Sequence, residues 1–119
     1  MRLQEIQEHY DAAFRRGCVP FLACEECSKF FFYPSTRCRK CGSARLDKRL
    51  SAGEGKVFAI TRFRAKDSGE VSYGIVQMEE GFRLYCNFEE FGSKLEVDSG
   101  VKVRAIGETF QLLARPRAL

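Results

Sequence analysis

Cys24-Glu25-Glu26-Cys27 and Cys38-Arg39-Lys40-Cys41 are two identical C-x2-C pairs with ten residues between them. Either pair alone would be weak evidence. Together they bring four thiolates to one point, which is the coordination number and donor set of a structural Zn2+. Two disulfides are the competing reading, and a rubredoxin-like iron centre would use the same four sulfurs. A closed sulfur shell leaves no position for water or substrate, so the metal is expected to be scaffolding.

Around the knuckles, residues 18–44 read as one metal-held ribbon. Phe21-Leu22-Ala23 leads into the first pair, Phe30-Phe31-Phe32-Tyr33 forms a strand out of it, and Pro34-Ser35-Thr36 turns the chain toward the second. So small a unit buries too little apolar surface to fold unaided, so metal binding and folding should be one event. Four successive aromatics cannot all point inward on it. Some must be exposed, or covered by the next domain or by another protein. Arg37, Arg39, Lys40, Arg45, Lys48 and Arg49 crowd the second knuckle, where they would offset the charge of about −2 on a ZnS4 centre.

Upstream, residues 3–16 show the period of an amphipathic helix, with Leu3, Ile6, Tyr10, Ala13 and Phe14 on one stripe. Gly17 is placed to end it and Pro20 prevents its continuation. With residues 1–17 forming this helix, its stripe must rest either on the chain's own core or on a partner.

Downstream, residues 45–113 alternate as an antiparallel β domain that begins at Arg45–Leu50. Val57, Ala59, Thr61 and Phe63 share one face of a strand, and Phe58, Ile60, Arg62 and Arg64 the other. Lys66–Glu70 is a polar loop. Glu79-Glu80-Gly81 reads as a hairpin turn, followed by an inward set Phe82, Leu84, Cys86 and Phe88. Val101, Val103 and Ala105 open a last pairing that continues near Phe110 and Leu112, and residues 114–119 read as a frayed tail. Five strands with glycine at the bends fit an OB-type Greek-key barrel. The fold class expected is therefore mainly β with an N-terminal helix: a rubredoxin-like zinc ribbon followed by a five-stranded OB barrel.

Composition is that of a globular chain: 119 residues, 45% hydrophobic and 30% charged, with eleven Phe, four Tyr and no Trp. No apolar run spans a bilayer and no cleavable signal pattern is present, which points to a cytoplasmic chain and favours metal over disulfide. The net charge of +4 is mild.

Residues with chemical potential are few. His9, the one histidine, lies off the helical stripe and reads as a solvated surface residue. Serine-hydrolase, metalloprotease, phosphate-loop and dinucleotide motifs are all missing. Cys86 is in phase with Leu84 and Phe88 and reads as a buried hydrophobe; Cys18 has nothing near it to lower its pKa. Glu79-Glu80 and Glu89-Glu90 point their members to opposite sides and read as solvated turns. Arg62, Arg64 and Lys66 lie on one strand and its exit loop, where cations could meet phosphates or simply be a solvated edge.

The order of helix, Phe14-x2-Gly17, the two knuckles with Tyr33-Pro34 between them, Cys41-Gly42-Ser43 and then Ser51-Ala52-Gly53-Glu54-Gly55-Lys56-Val57-Phe58 resembles the family long called domain of unknown function thirty-five. Tyr73–Glu79 with Glu80-Gly81-Phe82-Arg83-Leu84 is similar to that family's hairpin. The resemblance covers about residues 3–110. It implies a zinc ribbon plus OB fold that is an accessory subunit of thiolase-fold proteins (thiolases, hydroxymethylglutaryl-CoA synthases, related acyltransferases and aldolases), associated with acyl-CoA. It implies Zn2+ on Cys24, Cys27, Cys38 and Cys41, no catalysis by the chain itself, and CoA or acyl-CoA nearby. The family's CoA contacts are not written as a sharp motif and carry over to no residue here; it is the position of Arg62, Arg64 and Lys66 on their strand and loop that would offer them to the CoA phosphates. The helix stripe and Phe30–Tyr33 would supply the partner interface, and a homo-oligomer is a further expectation. The rival function is single-stranded nucleic-acid binding, against which stands that the sequence makes no exposed aromatics on the barrel evident.

Overall fold

Ile6, Tyr10 and Ala13 are the buried residues of α1 (Leu3–Arg15), and they recur at four- and three-residue steps as a single apolar stripe requires. The helix ends in a Schellman arrangement. Cys18 N–H donates to the Ala13 carbonyl at 2.9 Å and Gly17 N–H to that of Phe14 at 3.0 Å, with Gly17 at φ +75°. The structure, a computed structural model, describes residues 2–67, 69–90, 94–106 and 111–117.

The ribbon sheet has three antiparallel strands in the order β2-β1-β3, namely β1 (Pro20–Cys24), β2 (Phe30–Phe31) and β3 (Leu46–Leu50). Assigning Arg45–Leu50 to the barrel is thereby corrected. β3 pairs with β1 over its whole length, Pro20↔Leu50 to Cys24↔Leu46, so the ribbon closes on itself before the barrel begins.

β4 (Glu54–Ala65), β5 (Gly69–Met78), β6 (Arg83–Phe88), β7 (Gly100–Ile106) and β8 (Gln111–Pro116) form a closed barrel in the order β4-β5-β6-β8-β7. Neighbours are antiparallel except β6 and β8, which run parallel through Asn87↔Leu113 and Phe88↔Ala114. This is the five-stranded OB barrel. Val57, Val76, Leu84, Val101 and Ala114 are at most 1% exposed at its centre. Ala114 belongs to that core, so the stretch read as a frayed tail from Ala114 is strand as far as Pro116. Ser68, Phe110, Ala118 and Leu119 lie outside the described residues.

The strict alternation expected along β4 fails at one point. A bulge between Val57 and Ala59 inserts a residue, and from there Ile60 and Arg62 turn toward the barrel interior while Phe63 turns outward. Gly74 lies opposite. A Cβ there would stand 2.0 Å from the Ala59 carbonyl oxygen, so only glycine allows β5 to follow the bulged strand.

Ribbon and barrel share an aromatic core. Phe82 of the β5–β6 hairpin stacks on Phe21 at 4.7 Å and on Phe32 at 6.4 Å, and Phe30 meets Phe21 edge-on at 5.6 Å. Phe21 and Phe32 of the ribbon are thus covered by the chain's own barrel, while Tyr33 stays exposed. The Tyr10 hydroxyl donates to the Phe32 carbonyl, and Ala105 N–H donates to the Gly17 carbonyl at 3.2 Å, so α1 wedges between both units. His9 is not simply solvated, since its Nε2 lies 2.9 Å from the Arg49 carbonyl oxygen of β3. Glu80 is more than a solvated turn residue: its carboxylate accepts from Ser51 Oγ at 2.9 Å and Ala52 N–H at 2.9 Å, clasping the linker between the units. No helix among the described residues is long and apolar enough to cross a membrane.

Candidate metal centre and exposed aromatic face

Each knuckle folds in the same way. After the second cysteine the chain enters the left-handed region, at Ser28 (φ 64°) and Gly42 (φ +77°), and the N–H of that residue donates back to the carbonyl of the first cysteine, Cys24 at 3.0 Å and Cys38 at 2.8 Å. These tight loops turn two sulfurs of each pair to one side. The four Sγ atoms lie within 4.8 Å of one another, with Cys24–Cys41 and Cys27–Cys38 at 3.5 Å. A tetrahedral ion with metal–sulfur bonds near 2.3 Å needs sulfur–sulfur edges of roughly 3.8 Å, so the cluster has the size of a metal site.

Electrostatics point the same way. The Cys38 thiol is lowered to about 6 by the Cys41 and Lys40 N–H groups, and Cys24 is lowered by the N–H groups of Cys27 and Glu26. Ser43 N–H acts to lower Cys41, yet that thiol is pushed up to about 12 by burial and by Cys24, Cys27 and Cys38. Cys24 and Cys38 are eased toward the thiolate while their sulfurs disfavour ionisation of Cys41, so a cation among them would favour the ionised cluster. The chain therefore places Cys24, Cys27, Cys38 and Cys41 to hold a metal ion. Part of the surrounding basic set serves the loops: Arg37 donates to the Gly42 carbonyl at 3.2 Å and Arg45 pairs with Glu25 at 3.6 Å.

The cationic trio of β4 is not brought together on one ligand. Arg62 points inward, its Nε 2.9 Å from Glu90 Oε1 and its Nη2 2.7 Å from Oε2, with a further bond to the Leu95 carbonyl. Glu90 also accepts from Ser72 Oγ and from Leu95 N–H at 2.8 Å. With Arg62 beside it, the Glu90 carboxyl falls to about 2. Glu89 pairs with Arg115, so neither member of that doublet is a solvated turn residue. Arg64 and Lys66 are exposed at the far end of the strand. Cys86 is buried, its thiol pushed up to about 12 by desolvation.

Sequence reasoning missed the outer face of β4, β5 and β6. Thr61↔Tyr73 and Ile75↔Tyr85 pair across the strands, which places Phe63, Tyr73 and Tyr85 on one side, away from the barrel interior. They are 50%, 41% and 52% exposed. Tyr73 and Tyr85 lie parallel at 6.2 Å, and Tyr33 of the ribbon joins them 6.3 Å from Tyr85. Tyr33 is anchored there because its hydroxyl accepts the Tyr85 N–H at 3.1 Å, on the stretch of β6 that β8 does not reach. Farther along, the Arg83 guanidinium covers the Phe58 ring at 3.8 Å. A groove of about 470 Å3 between α1, the ribbon and the barrel opens beside these rings, lined by Tyr10, Phe32, Tyr33, Tyr73 and Tyr85 among others. The signal for this face was Tyr73 and Tyr85 in the same phase on adjacent strands.

No family model matches the sequence, and no curated protein is similar to it. Solved structures are. One, an "Ltp2-ChsH2(DUF35) aldolase", is 24% identical over 92% of each chain, with a TM-score of 0.73. Another, a DUF35 family protein of unknown function from Sulfolobus solfataricus, is 15% identical over 92% of this chain and 84% of that one, with a TM-score of 0.72. The class defined by fold and site is a zinc ribbon joined to an OB barrel. The particular fold is that of the DUF35 proteins.

Proposed function

We propose that this chain is a DUF35-type accessory subunit which holds a structural Zn2+, assembles with a thiolase-fold enzyme and helps form its acyl-CoA binding or transfer site. The observation that carries this reading is the likeness over 92% of the chain to the DUF35 component of an aldolase complex. Four thiolates of this spacing suit Zn2+ and leave it no open position, which makes the ion a staple. Arg64 and Lys66, both exposed, are the cations offered to the phosphates of CoA, while Arg62 braces the barrel through Glu90.

Coexpression with the thiolase-fold enzyme encoded nearest to this chain tests the reading. Native mass spectrometry should find one stable complex carrying one zinc per copy of this chain. The complex with Arg64→Ala and Lys66→Ala should hold CoA several-fold more weakly. Two proteins that migrate separately, or turnover of acyl-CoA by this chain alone, would overturn it.

A further inference from the structure

We propose that the outer face of β4, β5 and β6 is the surface on which the partner enzyme seats, with Phe63, Tyr73 and Tyr85 at its centre; this rests on the accessory-subunit reading and gives it a location. The two surfaces that the sequence offered a partner are largely used already. Ile6, Tyr10 and Ala13 of α1 are buried within the chain. Phe31 and Phe32 are buried at 7% and 8% exposure with Phe32 stacked on Phe82, and Tyr33 is the ring of that stretch left open, beside the sheet face itself. Among the described residues, the large aromatics of the barrel remaining in the open belong to this one sheet face.

Area supports a macromolecular occupant. An aromatic side chain offers about 150–250 Å2, so Phe58, Phe63, Tyr73 and Tyr85 at about half exposure present on the order of 350 Å2. That matches the largest apolar patch a monomer ordinarily leaves open, and approaches half of the roughly 800 Å2 one partner contributes to a standard interface. Tyr, Phe and Arg are the residue types that concentrate binding energy at such centres.

Charge selects a protein over a nucleic acid. A single strand needs cations that follow its backbone beside the stacking rings. The register sets Lys56 and Arg83 on either side of Gln77 at one end of this face, so the cations do not run along the rings. Arg83 is engaged: its Nε donates to Gln77 Oε1 at 2.6 Å and its guanidinium lies over Phe58. The fitting partner is therefore a protein with a largely uncharged apolar patch. Tyr33 ties the metal ribbon to this face through its bond to Tyr85, so the metal orders one edge of the interface.

The test uses the full metal-loaded chain and the purified thiolase-fold enzyme encoded nearest to it, with affinity read by calorimetry. The Phe63→Ser, Tyr73→Ser double variant should keep the thermal midpoint and metal content and lose at least about 30-fold in affinity. Leu50→Ser, on the exposed end of β3, should bind as the unaltered chain does. In the unaltered complex, hydroxyl-radical labelling of Tyr73 and Tyr85 should be suppressed, a readout that needs no variant to fold. A folded double variant binding within about twofold of the unaltered chain, or undiminished labelling, would overturn the location and leave the accessory reading standing. Failure of the unaltered chain to bind would overturn both. So would salt-sensitive binding of a single-stranded oligonucleotide that the double variant loses, since the rings would then serve nucleic acid.

Discussion

Arg62 carries its charge into the barrel wall only because Glu90 receives both of its nitrogens there, with Ser72 and Leu95 completing the carboxylate's shell. Arg62→Met should therefore cost about 1–3 kcal/mol in chemical denaturation, because it leaves a half-buried carboxylate without its cation. Glu90 ionises near 2 when folded, against 4.5 ordinarily. A carboxyl depressed by folding stabilises above its unfolded pKa and loses that contribution as pH falls through its folded one. The difference in stability between the unaltered chain and Glu90→Gln should accordingly shrink from about pH 4.5 down to about pH 2, and thermal midpoints over that range would show it. Gly74 is the other decisive residue. Gly74→Ala forces a methyl 2.0 Å from the Ala59 carbonyl oxygen, so β5 must leave its register. The expected loss is on the order of 2–4 kcal/mol, read by urea unfolding, and a smaller loss would show that the bulge can move.

At the scale of elements, the ribbon has the four-cysteine cluster at one end and aromatic stacking at the other. Its two-residue strand β2 pairs with β1 only through Leu22↔Phe31 and Ala23↔Phe30, too little to persist alone. Removing the ion with a chelator should therefore release the knuckles and loosen Phe21, Phe30 and Phe32 from Phe82. Near-ultraviolet circular dichroism should lose aromatic signal as four thiols become titratable. An unchanged spectrum after metal removal would show that packing alone holds the ribbon. α1 adds a second brace, reaching β3 through His9 and β7 through the Gly17 carbonyl. Cys41 stays exposed while Cys24 and Cys38 are buried, so the exposed knuckle is where a chelator would begin.

Taken whole, the molecule directs its apolar matter inward through a continuous core shared by helix, ribbon and barrel, and leaves one sheet face rich in exposed rings. Much of it was legible in the chain. The spacing of Cys24, Cys27, Cys38 and Cys41 announced the four-cysteine cluster because knuckle geometry is local, set by a few dihedrals between cysteines close in sequence. The α1 stripe, the Gly17 stop and the inward run Phe82–Phe88 were equally readable, since period and turn chemistry act over a few residues. What the residues alone did not disclose depends on pairing at long range. Leu46–Leu50 joins the ribbon because β1 has a free edge there. The bulge after Val57 reverses which side of β4 faces water, and Arg62 meets Glu90 across 28 positions. Strand alternation says that two faces exist, but only closure of the barrel decides which one the solvent sees.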